Sequence, residues 1–88
     1  MIRRHVIVTG RVQDVWYRQS CQREAAAAGV NGWVRNNDDG TVEAVLEGDT
    51  AAVERVLSWM RVGPSRAVVT GVKIVEEPPR GEQDFRVR

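Results

Sequence analysis

Gly10-Arg11-Val12-Gln13-Asp14-Val15-Trp16-Tyr17-Arg18 joins two segments of different hydrophobic period. Before it, from Arg3 to Gly10, Val6 and Val8 alternate with His5, Ile7 and Thr9, the period of two expected of a strand with one face in a core. After it, Tyr17, Cys21, Ala25 and Ala28 recur at spacings of four, four and three, while Gln19, Gln22 and Arg23 fall off that stripe. This predicts an amphipathic helix from about Tyr17 to Ala28, with a small-residue face suited to close packing on a sheet and Gly29 as its stop. Arg18 then lies in the first turn. A strand-loop-helix junction of this kind is an anion site: its N–H groups lack internal partners, the helix's positive end adds to their field, and a guanidinium can hold two phosphate oxygens.

Outward from that junction the periodicities continue. Gly32-Trp33-Val34-Arg35-Asn36 and Thr41-Val42-Glu43-Ala44-Val45-Leu46-Glu47 are strand-like, and Asn37-Asp38-Asp39-Gly40 between them is a hairpin signal, since Asp and Gly tolerate positive φ. In the second run Val42, Ala44 and Leu46 are expected to face the core, with Thr41, Glu43 and Glu47 solvated. Asp49 is placed to N-cap a second helix carrying Ala52, Val53, Val56, Leu57 and Met60 at helical spacing, stopped by Gly63-Pro64. Arg66 to Glu76 is a fourth strand, and after Pro78-Pro79-Arg80-Gly81 a short segment with Phe85 and Val87 can add an edge strand. The order β-α-β-β-α-β plus a tail implies an α+β fold, two helices covering one face of a mainly antiparallel sheet.

Eighty-eight residues make one domain, 1–88. Thirteen basic against twelve acidic residues give a net charge of +1, without the basic stripe of a nucleic-acid binder, so no nucleic acid is expected as a partner. Cys21 is the only cysteine, which excludes an intramolecular disulfide and a multi-cysteine metal site. No apolar run is long enough to span a bilayer, and the N-terminus alternates rather than forming a leader's apolar core. A cytoplasmic monomer with no membrane partner is the expectation.

Most chemistry-bearing side chains have an ordinary structural reading. His5 is a lone imidazole on a strand face without partner ligands, and Cys21 sits on the buried helix stripe as a small core residue. Trp16, Tyr17, Trp33 and Trp59 are read as core and rim packing, and Glu76-Glu77 and Asp38-Asp39 as solvated charges. No Walker lysine, Gly-x-Gly-x-x-Gly fingerprint or His/Asp/Glu cluster at metal spacing occurs, so no metal or cofactor is expected. Arg18 and Asn36 remain. If the strand ending at Asn36 lies near the first strand, its end opens on the same rim of the sheet as the Gly10–Arg18 loop.

With these residues in place, the chain resembles the acylphosphatase family. The family's Gly-x-Val-Gln-Gly-Val-x-aromatic-Arg signature is met by Gly10, Val12, Gln13, Val15, Tyr17 and Arg18. Its Gly-aromatic-small-basic-Asn signature with a glycine hairpin is met by Gly32, Trp33, Val34, Arg35, Asn36, Gly40, Val42 and Gly48. The resemblance implies a ferredoxin-like fold and hydrolysis of an acylphosphate to a carboxylate and inorganic phosphate. It also implies that Arg18 and the loop Val12-Gln13-Asp14-Val15-Trp16-Tyr17-Arg18 bind the phosphoryl group and that Asn36 orients the attacking water. Asp14 stands where the signature has glycine. Positive φ there costs Asp about 1 kcal/mol, and a carboxylate about 8 Å from a bound phosphate, at an effective dielectric near 40, costs about 1 kcal/mol per unit of anion charge. An impaired site, or a module that binds a phosphorylated ligand without turning it over, follows from that one position. A weaker third reading, an RNA-binding domain, lacks the basic aromatic sheet face it needs.

Overall fold

The first alternating segment is strand β1, Ile2–Arg11, in a computed structural model that describes all 88 residues, Met1 to Arg88. Helix α1, Tyr17–Ala28, follows, then strands β2, Asn31–Asn36, and β3, Val42–Gly48. Helix α2, Thr50–Met60, and strands β4, Val68–Glu77, and β5, Phe85–Val87, complete the chain. The sheet order is β4-β1-β3-β2-β5. Each helix therefore carries the chain past one intervening strand, and all pairs are antiparallel except β2 with β5, which is parallel. The expected α+β architecture, two helices on a five-stranded sheet with a short C-terminal edge strand, is the observed one.

Period two on the strands and period 3.6 on the helices meet in one core. Val6 and Val8 of β1, Val34 of β2, Val42, Ala44 and Leu46 of β3, Tyr17, Cys21 and Ala25 of α1, and Val53, Val56, Leu57 and Met60 of α2 are all buried in a single cluster. The two helices also meet through aromatic rings, Tyr17 and Trp59 lying 5.3 Å apart between centroids at 48°. The Tyr17 hydroxyl donates to the Met60 carbonyl oxygen at 2.8 Å, so its buried polar end is satisfied. Gly29 closes α1 in the left-handed conformation, as expected. Asp49 occupies the N-cap of α2, but its side chain makes no capping hydrogen bond.

The opposite face of the sheet departs from the sequence reading. Glu47, expected to be solvated, is 2% exposed. It lies directly across the strand pair from Arg3, which is 3% exposed, and accepts from its Nη1 at 2.7 Å. The same carboxylate accepts from the main-chain N–H groups of Arg80, Gly81 and Glu82. Arg3 further donates to Glu77 and Glu82, so Glu77 is not a free solvated charge either. Glu43, also expected to be solvated, is half-buried between His5 and Arg35, and His5 thereby has a partner that the sequence did not indicate. The reason is tertiary: Glu43 pairs with His5 and Arg35 on the strands to either side, and the segment before β5 folds back over Arg3 and Glu47, charges that a period-two pattern assigns to water.

That cluster sets the course of residues 80–88. Glu47 holds residues 80–82; Asn31 Nδ2 donates to the Glu82 carbonyl oxygen at 2.9 Å, and Gly32 N–H donates to that of Asp84 at 2.7 Å. β5 is thus laid along β2, and Arg88 N–H donates to the Val34 carbonyl oxygen at 2.8 Å. The Arg88 guanidinium lies 4.6 Å from the Trp33 ring centroid, close enough for a cation–π contact.

Candidate active site

At the end of β1 the ladder with β4 shifts register between Thr9 and Gly10, and Gly10 takes φ 122°. A Cβ there would collide with the Val68 carbonyl oxygen, so only glycine lets β4 approach where β1 turns toward the loop. The loop is anchored from below by Val12 and Val15, both buried in the core. No main-chain N–H from Val12 to Trp16 donates to another main-chain group. These are the orphan donors that a loop entering a helix is expected to offer.

The loop borders a cleft of about 300 Å³. Arg18 and Asn36, expected from topology to approach one another, both line it. Val12, Asp14, Trp16 and Tyr17 form further wall, together with Gln19, which the helical stripe had placed simply off the buried face. Arg18 Nη1 donates to the Arg88 main-chain oxygen at 2.9 Å, which orients the guanidinium while its other N–H donors remain for a ligand. Asn36 Oδ1 is buried and has no hydrogen-bond partner. A buried acceptor without a donor is uncommon and costs stability, so its place on a cleft wall is informative.

Two of the seven loop residues do not face this space. Val15 points into the core, and the Gln13 amide turns to the hairpin, donating to the carbonyl oxygens of Asn37 at 2.7 Å and Thr41 at 2.9 Å. The side chain of Gln13 therefore ties the loop to the strand end that carries Asn36. The hairpin is itself held: Asp39 accepts from the Thr41 N–H and hydroxyl, which keep its carboxyl below the usual carboxylate range. Asp14 lines the cleft at φ 62° and Trp16 at φ 65°, both in the left-handed region. Trp16, expected as core or rim packing, is 70% exposed. It occupies the N-cap of α1 without a capping side-chain hydrogen bond, and the strand-to-helix turn rather than burial decides where its ring goes.

Among nearby titratable groups, burial raises the Tyr17 hydroxyl well above its ordinary value and pushes the Cys21 thiol up to about 12. Both stay protonated near neutrality, and neither is set up as a base or nucleophile. No group of three or more His, Cys, Asp or Glu side chains is placed to hold a metal ion.

A cleft walled by an arginine, unpaired loop N–H groups and an orphan amide oxygen offers several donors and one free acceptor to a ligand. The family model described as Acylphosphatase matches residues 4–87. The chain belongs to the acylphosphatase family. It is 50% identical over 86 residues to an acylphosphatase of Thermococcus kodakarensis, across 98% of this chain and 94% of that protein. An acylphosphatase of Methylococcus capsulatus is 52% identical over 82 residues, across 93% of this chain and 89% of that protein. The crystal structure of acylphosphatase from Bacillus subtilis matches the fold with a TM-score of 0.97 at 34% identity, covering 100% of this chain and 99% of that one. The ferredoxin-like fold implied by the acylphosphatase resemblance is thereby established, on an independent protein of the family.

Proposed function

We infer that this chain hydrolyses acylphosphates, Arg18 and the Val12–Arg18 main chain binding the phosphoryl group and Asn36 orienting the water. Membership in the acylphosphatase family and relatives of that name at about half identity support the reaction. They favour turnover over a module that only binds a phosphorylated ligand. The observation that carries the residue roles is the unpartnered Asn36 Oδ1 on the wall that Arg18 shares. A water seated there donates one hydrogen to Oδ1 and turns a lone pair toward phosphorus.

The chemistry asks little else of the protein. As the water oxygen bonds to phosphorus, the bond from phosphorus to the acyl oxygen breaks and its electron pair leaves on the carboxylate. Positioning and neutralisation of the equatorial oxygens dominate such transfers. A carboxylate leaving group, with a conjugate-acid pKa of roughly 4, departs without a proton, and the proton released from water passes to the product phosphate or to solvent. A fixed guanidinium supplies the charge stabilisation, and no general acid is required.

One domain over residues 1–88, acting as a cytoplasmic monomer on a small acylphosphate and not on nucleic acid, fits the near-neutral net charge. No helix is long and apolar enough to cross a membrane. The test is a continuous assay with benzoyl phosphate. Hydrolysis above background that disappears in Arg18→Ala is the expected result; thermal stabilisation by phosphate without any hydrolysis supports the binding module instead.

A further inference from the structure

The phosphoryl group does not account for the whole cleft. At about 300 Å³ it reaches the lower end of small-molecule pockets, roughly 300–1,000 Å³, and beside Arg18 and Asn36 its wall includes the Trp16 ring. We propose that Trp16 is the platform for the acyl part of the substrate, and that this acyl group is flat and uncharged. The proposal rests on the acylphosphate reading above and adds the half of the substrate on which that reading is silent.

Three observations meet at Trp16. Its side chain is 70% exposed yet lines the cleft, whereas Tyr17 is buried and Trp33, Trp59 and Phe85 are at least half-buried. Its backbone sits at φ 65°, ψ 21°, a conformation that bulky side chains rarely take. Buried Val15 and Tyr17 on either side hold the backbone there, and within the free protein the ring itself packs on little. A bound flat group changes this: it covers the indole face and is covered by it, in the offset stacking that aromatic quadrupoles favour.

Charge narrows the class. Of the residues on the cleft wall only Arg18 and Asp14 are charged, and Arg18 is engaged by the phosphoryl group. An acyl part with a second anion finds no cation there and meets the Asp14 carboxylate. A neutral planar acyl group, such as an aromatic one, meets neither penalty.

Rates with benzoyl phosphate and acetyl phosphate test this through their ratio, which cancels any damage to the loop shared by both substrates. Trp16→Ala should lower the benzoyl-to-acetyl ratio of kcat/KM by about tenfold, the scale of one aromatic stack, mainly through KM for benzoyl phosphate. Trp16→Phe should keep most of the wild-type ratio. An unchanged ratio in Trp16→Ala, whatever the absolute rates, overturns the proposal. Wild-type protein inert toward both substrates overturns the acylphosphatase reading itself, so the two failures are distinguishable.

Discussion

Gln13 donates to the Asn37 carbonyl oxygen at 2.7 Å, a contact between the loop that enters α1 and the residue immediately after Asn36. With its second bond, to the Thr41 carbonyl oxygen, it sets the spacing between the two walls of the cleft. Gln13→Leu keeps the bulk and removes both bonds, while the Asn37 and Thr41 carbonyl oxygens keep main-chain donors in Gly40 N–H and Asn37 N–H, so the stability cost should be about 1 kcal/mol. The catalytic effect should exceed the folding effect, since small misplacements of a reacting pair are costly. A fall in kcat of about tenfold or more is expected, with KM changing less. A variant that folds by urea titration and keeps wild-type kcat would remove Gln13 from the positioning of Asn36.

Arg18→Ala removes the one cation of the cleft. Loss of a well-placed donor to developing charge costs about 3–4 kcal/mol, or two to three decades in kcat, which leaves turnover near the detection limit of a benzoyl phosphate assay. Arg18→Lys keeps the charge but loses the planar fork and should fall between the two. Because the Arg18 bond to Arg88 is exposed, the melting temperature of either variant should move little.

Asn36→Ala separates function from folding in the opposite way to a core substitution. Its Oδ1 has no protein partner, so its loss breaks no hydrogen bond made by that oxygen, and stability should stay within about 0.5 kcal/mol or rise. The rate constant kcat should fall while inhibition by inorganic phosphate is nearly unchanged. Equal losses in both would mean that Asn36 binds the phosphoryl group and does not orient water.

Asp14 stands in the left-handed region on the cleft wall, which meets both conditions under which its replacement of the family glycine is costly. Asp14→Gly relieves the backbone and removes the carboxylate. The backbone relief adds to folding stability, since the free chain already holds φ 62°, whereas removal of the charge is worth about 1 kcal/mol per unit of anion charge, so kcat/KM should rise by about tenfold. Wild-type and variant kinetics on the same acylphosphate decide it, and an unchanged kcat/KM would make the position neutral.

What local pattern can specify, it specified. Val6 and Val8, the Tyr17-Cys21-Ala25 stripe and the Asn37–Gly40 turn each state their own face or φ, and the elements formed where they point. Arg18 and Asn36 were legible because the loop after β1 and the end of β2, which runs the same way one strand further along the sheet, share a rim. Trp16 was misread because amino-acid type says aromatic, hence packed, while a backbone reversal decided its direction. Glu43 and Glu47 were misread because a two-residue period encodes no partners: Glu43 meets His5 of β1 and Arg35, opposite it on the hairpin strand β2, and Glu47 meets Arg3 and residues 80–82.

Glu47 therefore carries a prediction that its local sequence did not suggest. Burial alone would raise its carboxyl pKa, but hydrogen bonds from the Arg80, Gly81 and Glu82 N–H groups and from Arg3 outweigh it and hold the group at about 2, against 4.5 when free. A carboxyl depressed on folding contributes its full stability above pH 4.5 and loses it as pH falls from there through 2. The depression corresponds to about 3 kcal/mol. Glu43 and Glu77, also held below the usual range by His5 and Arg35 and by Arg3, add to the same acid-side loss. Glu47→Gln should be less stable than wild type at pH 7, because Arg3 and three N–H groups lose their anion, yet its urea midpoint should fall less steeply between pH 5 and 2. The two curves should converge toward low pH. Parallel curves would mean that Glu47 titrates alike in the folded and unfolded chains, and that the cluster tethering β5, and through it Arg88 against Arg18, is held by something other than this charge.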